Sequence, residues 1–387
     1  MGIFVHVLSS SGRSMTKEEY RKAIDGVIYL SGCAVNGTIP DKKRIEGFDP
    51  EQLRKAANKH FLTAIVCYAL ETAGIRDHNF YQAKMKSIRK ITAMEIDKKK
   101  LFERLEQEKI WYMPLKGTII KELYPSIGMR QMSDFDILFD KEYAENVRDI
   151  LLDLGFSCKH FGKGNHDVYF KQPVSNFEMH TGLFGQSNKP EIYQYYKNVK
   201  DRLIKDEDNN FGYHFRNEDL YIYLTAHEYK HFSGRGTGLR SLLDIYVFRQ
   251  KLGSQLDEEY ISSEMKKLGI SDFEQQNRSL ALHLFGGSEL TEQDCKMLEY
   301  VIFSGTYGTF QNSIENRVKK NGGGEKGKRA YIRNKLFMPL ESVKKYYPFY
   351  YKHKALLPVL FFYRIGKAVT VKQGKTKRIL KILKEIK

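Results

Sequence analysis

A chain of 387 residues and 45.2 kDa with 41% hydrophobic and 13% aromatic residues is too long for one compact core and too apolar for disorder, so two or three domains are expected. Its four cysteines, Cys33, Cys67, Cys158 and Cys295, are scattered and form no Cys-x-x-Cys pair, so neither a disulfide framework nor a thiolate zinc site is suggested, and a reducing cytoplasm fits best. The net charge of +17 is concentrated: residues 317–387 hold 21 Lys or Arg against 3 Glu, a net of +18, and the remainder is near neutral at −1.

Residues 1–14 lack the basic start of a secretory signal, and His6 stands where a myristoylation site needs Ser or Thr, so an unstructured extension is expected there. Thr16-Lys17-Glu18-Glu19 reads as a capping box opening a helix over 16–35. Helical spacing of Leu53, Ala56, Ala57, His60, Phe61 and Ala64, and of Ile88, Ile91, Met94 and Leu101, predicts helices over 50–74 and 80–108, completing a helical N-terminal region at 15–109. The period then drops to two. Residues 110–115 read as a strand, Thr118 to Leu123 as a short helix stopped near Pro125, and 134–139 as a strand alternating Phe135, Ile137 and Phe139 with Asp134, Asp136 and Leu138. A helix over 142–154 and strands around 166–171 and 176–183 complete an α/β core at 110–185. Helices over 218–232, 239–252, 258–268 and 295–303 fill a helical region at 186–316. The Asn321-Gly-Gly-Gly-Glu-Lys-Gly run reads as a flexible linker near the start of a basic section at 317–387. The apolar run from Leu356 to Phe362 is too short to span a membrane. The expected fold class is α+β, a small mixed sheet flanked by helical regions on both sides.

The chemistry concentrates on that sheet. Residues two apart on a strand share a face, so Asp134 and Asp136 project together and repel each other unless a cation lies between them. Oxygen ligands favour Mg²⁺ or Mn²⁺, and two-metal catalysis uses such a carboxylate pair. Glu178, with His180 on the same face, supplies a third carboxylate from a neighbouring strand. Gly117 and Thr118 lie between a strand and a helix, where backbone N–H groups can hold phosphate, with Lys116 and Arg130 adding positive charge. Solvation of an edge strand would explain the Asp pair alone, but not the buried look of Phe135 and Ile137 or the Gly-Thr turn upstream.

Leu115-Lys116-Gly117, Tyr124-Pro125, Gly128-Met129-Arg130, Asp134-Phe135-Asp136 and Glu178-Met179-His180 together resemble the uncharacterised bacterial nucleotidyltransferases of the polymerase-β-like superfamily. The likeness extends to His227-Glu228-Tyr229-Lys230-His231, Arg240 and Asp244, over most of residues 50–250. Where the broader superfamily usually carries Gly-Ser or Gly-Gly, this chain has Gly117-Thr118. The resemblance implies transfer of a nucleoside monophosphate from an NTP to an acceptor, with Asp134, Asp136 and Glu178 on the metals.

Two other readings compete. His227-Glu228-x-x-His231 matches the H-E-x-x-H zinc peptidase signature, but Thr237 stands where the longer form of that signature has its third His. The other is a degenerate transferase, a non-catalytic protein that only binds nucleic acid through its basic section; beside a working transferase, that section suits contact with a polyanion, RNA or an anionic membrane surface, and a membrane-peripheral location. Most of its aromatics are expected to be core residues, with Ile379, Leu380, Ile382, Leu383 and Ile386 forming the apolar face of a terminal contact helix.

Overall fold

In the computed structural model, residues 15–186 and 188–386 are described. The expected extension at 1–14 lies outside the described residues. Thr16 caps the first helix, Lys17–Asn36: its Oγ1 accepts from Glu19 N at 3.1 Å, while Glu19 accepts from Thr16 N at 2.7 Å.

The single helix expected over 50–74 is two, Pro50–Lys59 and Thr63–Thr72, broken where Phe61 turns to φ 58°. Periodicity continues through the break, but a tertiary contact overrides it. His60 is fully buried, accepts from Leu239 N at Nδ1 (3.1 Å) and meets the Tyr20 hydroxyl through Nε2 (2.9 Å). Keeping those two bonds outweighs continuing one helical turn.

Five strands form one mixed sheet: β1 (Tyr112–Leu115), β2 (Phe135–Phe139), β3 (Ser157–His160), β4 (His166–Lys171) and β5 (Ser175–His180), in the order β1-β2-β5-β4-β3. Strand β3 has no expected counterpart; its half-polar residues sit exposed on the sheet edge. Only β2 and β5 run parallel; the other neighbours are antiparallel. One face carries Phe135, Ile137, Phe139, Phe177, Met179 and Tyr169, which pack on Ile91, Met94, Leu101 and Leu105 of the long helix His78–Gln107 and on Ala144–Asp153. Each buried phenylalanine there contributes about 1.5–3 kcal/mol of transfer free energy. The opposite face is left for the polar set.

The helices Asn217–Phe232, Leu239–Leu252, Glu258–Leu268 and Glu292–Ser304 match expectation closely. Ser271–Gly286 is an additional helix whose buried positions include Glu274 and Asn277, polar residues that dilute the apolar period.

The chain divides into two compact units: the larger runs to Lys230 and again over Gly238–Thr306, the smaller is His231–Thr237 together with the chain from Tyr307 onward. Within the smaller unit the glycine run is a tight turn between packed helices Phe310–Lys320 and Gly324–Leu336, not a flexible linker. The terminal helix Gln373–Glu385 folds Ile382 and Leu383 against Ile314, Val318 and Tyr331, with Ile379 and Ile386 alongside. Four of the five apolar residues are therefore internal packing, and Leu380 is exposed. Of the ten aromatics in the basic section only Tyr331 is buried; Phe337 is 62% and Phe362 70% exposed. No helix among the described residues is long and apolar enough to cross a membrane.

Candidate active site

The polar face of the sheet gathers the expected carboxylates. Asp136 and Glu178 are direct neighbours in the parallel β2–β5 register, so their side chains leave the sheet on the same side. Asp134 lies just before β2 and two residues from Asp136. Ser133 Oγ donates to Asp134 Oδ1 at 3.0 Å. Asp136 is deeply buried and holds two cationic or imidazole partners on one oxygen: Lys116 Nζ at 2.6 Å and His180 Nε2 at 2.8 Å.

These environments push the carboxyls apart. Burial raises the Asp134 carboxyl, and the Asp136 charge raises it further. Burial would raise Asp136 too, but the Lys116 ammonium and the His180 hydrogen bond outweigh it and hold that carboxyl below its usual range. Glu178 is pushed up to about 7 by burial and by the Asp136 and Asp134 charges. His180 is held down to about 4 by burial and by Lys116. For Asp134 and Glu178 burial is the larger cause and the neighbouring carboxylates the next, with Lys116 acting against both.

Lys116 sits on the turn between β1 and the helix Gly117–Ile120 with φ 46°, a left-handed backbone that a lysine adopts only when the surroundings impose it. Gly117 follows because nothing larger fits: a Cβ there would run into the Arg130 guanidinium and come within 2.8 Å of Met132 Cε. Thr118 Oγ1 lies 3.5 Å from the Asp136 backbone oxygen, tying the turn to β2. Arg130 is buried and makes a bidentate pair with Asp244, Nε to Oδ1 and Nη2 to Oδ2, both at 2.7 Å; Tyr124 Oη donates to the same carboxylate at 2.7 Å. Its charge is thus matched by Asp244 behind the turn.

Of three further contributors, His166 and Tyr223 have no counterpart in the sequence reading, and Lys230 enters it only within the run His227–His231. His166, on β4, is paired in register with His180, and its Nε2 lies 3.6 Å from Glu178 Oε2. On the helix Asn217–Phe232, Tyr223 and Lys230 present a seven-residue spacing toward the carboxylates. Burial, then the Asp136 and Glu178 charges, push the Tyr223 phenol well up, and its Oη is buried with no hydrogen-bond partner. Burial and Lys116 lower Lys230, while Asp136 and Glu178 act against that shift. A helical spacing of seven was visible in the sequence, but nothing there told which face met the sheet.

Glu228, the would-be general base of the peptidase motif, is buried and accepts from Asn277 Nδ2 at 2.8 Å; burial pushes it to about 8. Among the described residues, the one group of three or more His, Cys, Asp or Glu spaced to share an ion is His166, Glu178 and His180, which includes neither His227 nor His231.

The chain thus carries a mixed sheet with paired carboxylates on one face, a lysine–glycine turn beside them and helices behind. The chain belongs to the uncharacterised nucleotidyltransferase family, whose profile matches residues 46–286, spanning the whole sheet and the helices around it. It is a transferase. No curated protein and no solved structure matches it.

Proposed function

We propose that this nucleotidyltransferase moves a nucleoside monophosphate from an NTP to an acceptor hydroxyl or phosphate, on a site of the polymerase-β-like kind. The observation that carries the reading is the in-register pair of Asp136 and Glu178, with Asp134 beside them, on the sheet face opposite the one that carries Phe135, Ile137 and Phe139. The acceptor oxygen attacks the α-phosphorus, the bond to the α–β bridging oxygen breaks, and pyrophosphate leaves.

The donor set is three carboxylates, all oxygen, so Asp134, Asp136 and Glu178 fit Mg²⁺ or Mn²⁺. Bound there, the divalent ions would lower the pKa of the acceptor hydroxyl and neutralise charge on the transferred group. Glu178 would help hold the ion that activates the acceptor. Lys116, Gly117 and Thr118 would receive the triphosphate, Lys116 through its ammonium and the turn through its backbone N–H groups. The Asp244 pair favours a bracing role for Arg130, which shapes the Gly117 turn, over direct phosphate contact. Lys230 offers a further cation to the leaving pyrophosphate. Incubation with labelled NTPs and cell extract tests the reading: label should appear on an acceptor with the wild type and vanish with D134N and D136N. Equal labelling by both variants would remove it.

For the basic section we infer contact with an anionic lipid surface. It exposes aliphatic side chains such as Ile332, Leu336, Val359, Val369 and Val371, beside aromatics such as Phe337 and Phe362, among its Lys and Arg, and aliphatic and aromatic groups together suit insertion at an interface. Flotation should show salt-sensitive binding to anionic vesicles and not to neutral ones. RNA binding with no vesicle binding would assign the section to RNA instead.

A further inference from the structure

We propose that His166, Glu178 and His180 form a metal site of their own, for a first-row transition ion such as Zn²⁺, Fe²⁺ or Mn²⁺, at the edge of the carboxylate cluster. The ligand atoms already converge. His166 Nε2 and His180 Nε2 lie 3.6 Å and 3.8 Å from the same Glu178 oxygen, and one atom from each residue falls within 4.8 Å of the others. Separations of 3.6–3.8 Å are close to the edge of a coordination tetrahedron with bonds of ~2.2 Å.

The strands impose this convergence. His166 and His180 are Cα partners across the antiparallel β4–β5 pair, and Glu178 is two residues back on β5, on the same face. Their rings lie 5.0 Å apart at the centroids. Strand pairing fixes both imidazoles without loops, so the site is preorganised rather than assembled on binding. His180 is buried, whereas His166 and Glu178 are half-exposed, which leaves one side open to solvent and to further ligands. Asp134 and Asp136 do not join the group.

Two imidazoles distinguish this site from the oxygen site proposed above, with which it shares Glu178. Two imidazoles and one carboxylate suit Zn²⁺, Fe²⁺ and their neighbours, whereas Mg²⁺ prefers oxygen throughout. His180 Nε2 lies 2.8 Å from Asp136 and 3.8 Å from Glu178, so an ion bound there would replace its hydrogen bond to Asp136 and adjoin the carboxylate pair. Its bearing on transfer rests on the nucleotidyltransferase reading, but the site itself stands on the cluster alone.

The test is Co²⁺ titration of untagged, chelator-stripped, full-length protein, followed by visible absorption. One Co²⁺ per chain should bind with intensified visible bands, resist excess Mg²⁺, and bind more than about tenfold more weakly in H166A and in H166Q. Thermal unfolding of the apo variants checks that each is folded; His166 is half-exposed, so both should be. D134N should keep the bands. Unchanged Co²⁺ binding in folded H166A and H166Q, or bands lost in D134N, overturns the proposal. Bands that depend on His166 in a protein that labels no acceptor would leave the metal site standing and remove the transferase mechanism.

Discussion

Lys116 Nζ lies 2.6 Å from Asp136 Oδ1, and the lysine reaches it from a left-handed backbone at φ 46°. That strain costs on the order of 1–3 kcal/mol and is offset by what it holds in place: an ammonium against the most buried of the site's carboxylates. A cation and an ammonium would compete for the same oxygen. K116A should therefore bind Mn²⁺ more tightly than wild type in the absence of NTP, yet transfer nucleotide more slowly by roughly 10²-fold, since the triphosphate loses its nearest charge. Weaker Mn²⁺ binding in K116A, read by electron paramagnetic resonance, would contradict this account of the pair.

Asp134 and Asp136 should both be essential to turnover but opposite in their effect on stability. In the fold the Asp134 anion is disfavoured by burial and by Asp136, so D134N relieves a cost and the melting temperature should rise or hold. Asp136 is favoured as an anion, so D136N strands Lys116 and His180 and the melting temperature should fall. The sign with pH follows: the Asp136 contribution is present above its unfolded value near ~3.9 and is lost as pH falls toward the lower folded value. Calorimetry at neutral pH separates the two variants, and a drop in both would refute the assigned asymmetry.

How much of this could be read in the chain depends on the range of the forces involved. The alternation of Phe135, Ile137 and Phe139 with the aspartates is a local pattern, so strand β2 and its acidic face were legible. Glu178 was legible for the same reason. His166 was not: it joins the site only through the β4–β5 register, a pairing across a turn that periodicity does not encode. Arg130 was read as a phosphate ligand because its partner, Asp244, lies 114 residues away. The split at Phe61 and the inward face of the terminal helix were hidden likewise, since His60 and Ile382 are placed by contacts distant in sequence.

Lys230 faces the carboxylates from a different helix and is half-buried. If it meets the leaving pyrophosphate, K230A should raise the KM for NTP and lower kcat together, by roughly tenfold in kcat/KM, with metal affinity unchanged. K230R should restore part of the loss, because a guanidinium also pairs with phosphate. A variant that keeps kcat/KM for every NTP tested would place Lys230 outside the reaction.

His60 makes stability fall in mild acid. Leu239 N donates to its Nδ1, so the ring proton is on Nε2 and points to Tyr20, whose hydroxyl donates in turn to Ile302 O at 2.9 Å. The imidazole is neutral, and burial followed by Lys59 lowers it to about 3. In the unfolded chain it titrates near ~6.5. Above that value neither state binds the proton and His60 has no effect on the pH dependence. Below it the unfolded chain is protonated first, so stability declines as pH falls until the folded value is reached. Between pH ~6.5 and ~4.5 the loss is on the order of 2–3 kcal/mol, a large share of a typical folding free energy. H60Q keeps an acceptor for Leu239 and a donor for Tyr20 but does not titrate, so urea unfolding should show it less stable than wild type near neutrality and flatter with pH. Parallel pH profiles for the two proteins would rule out a neutral, buried His60.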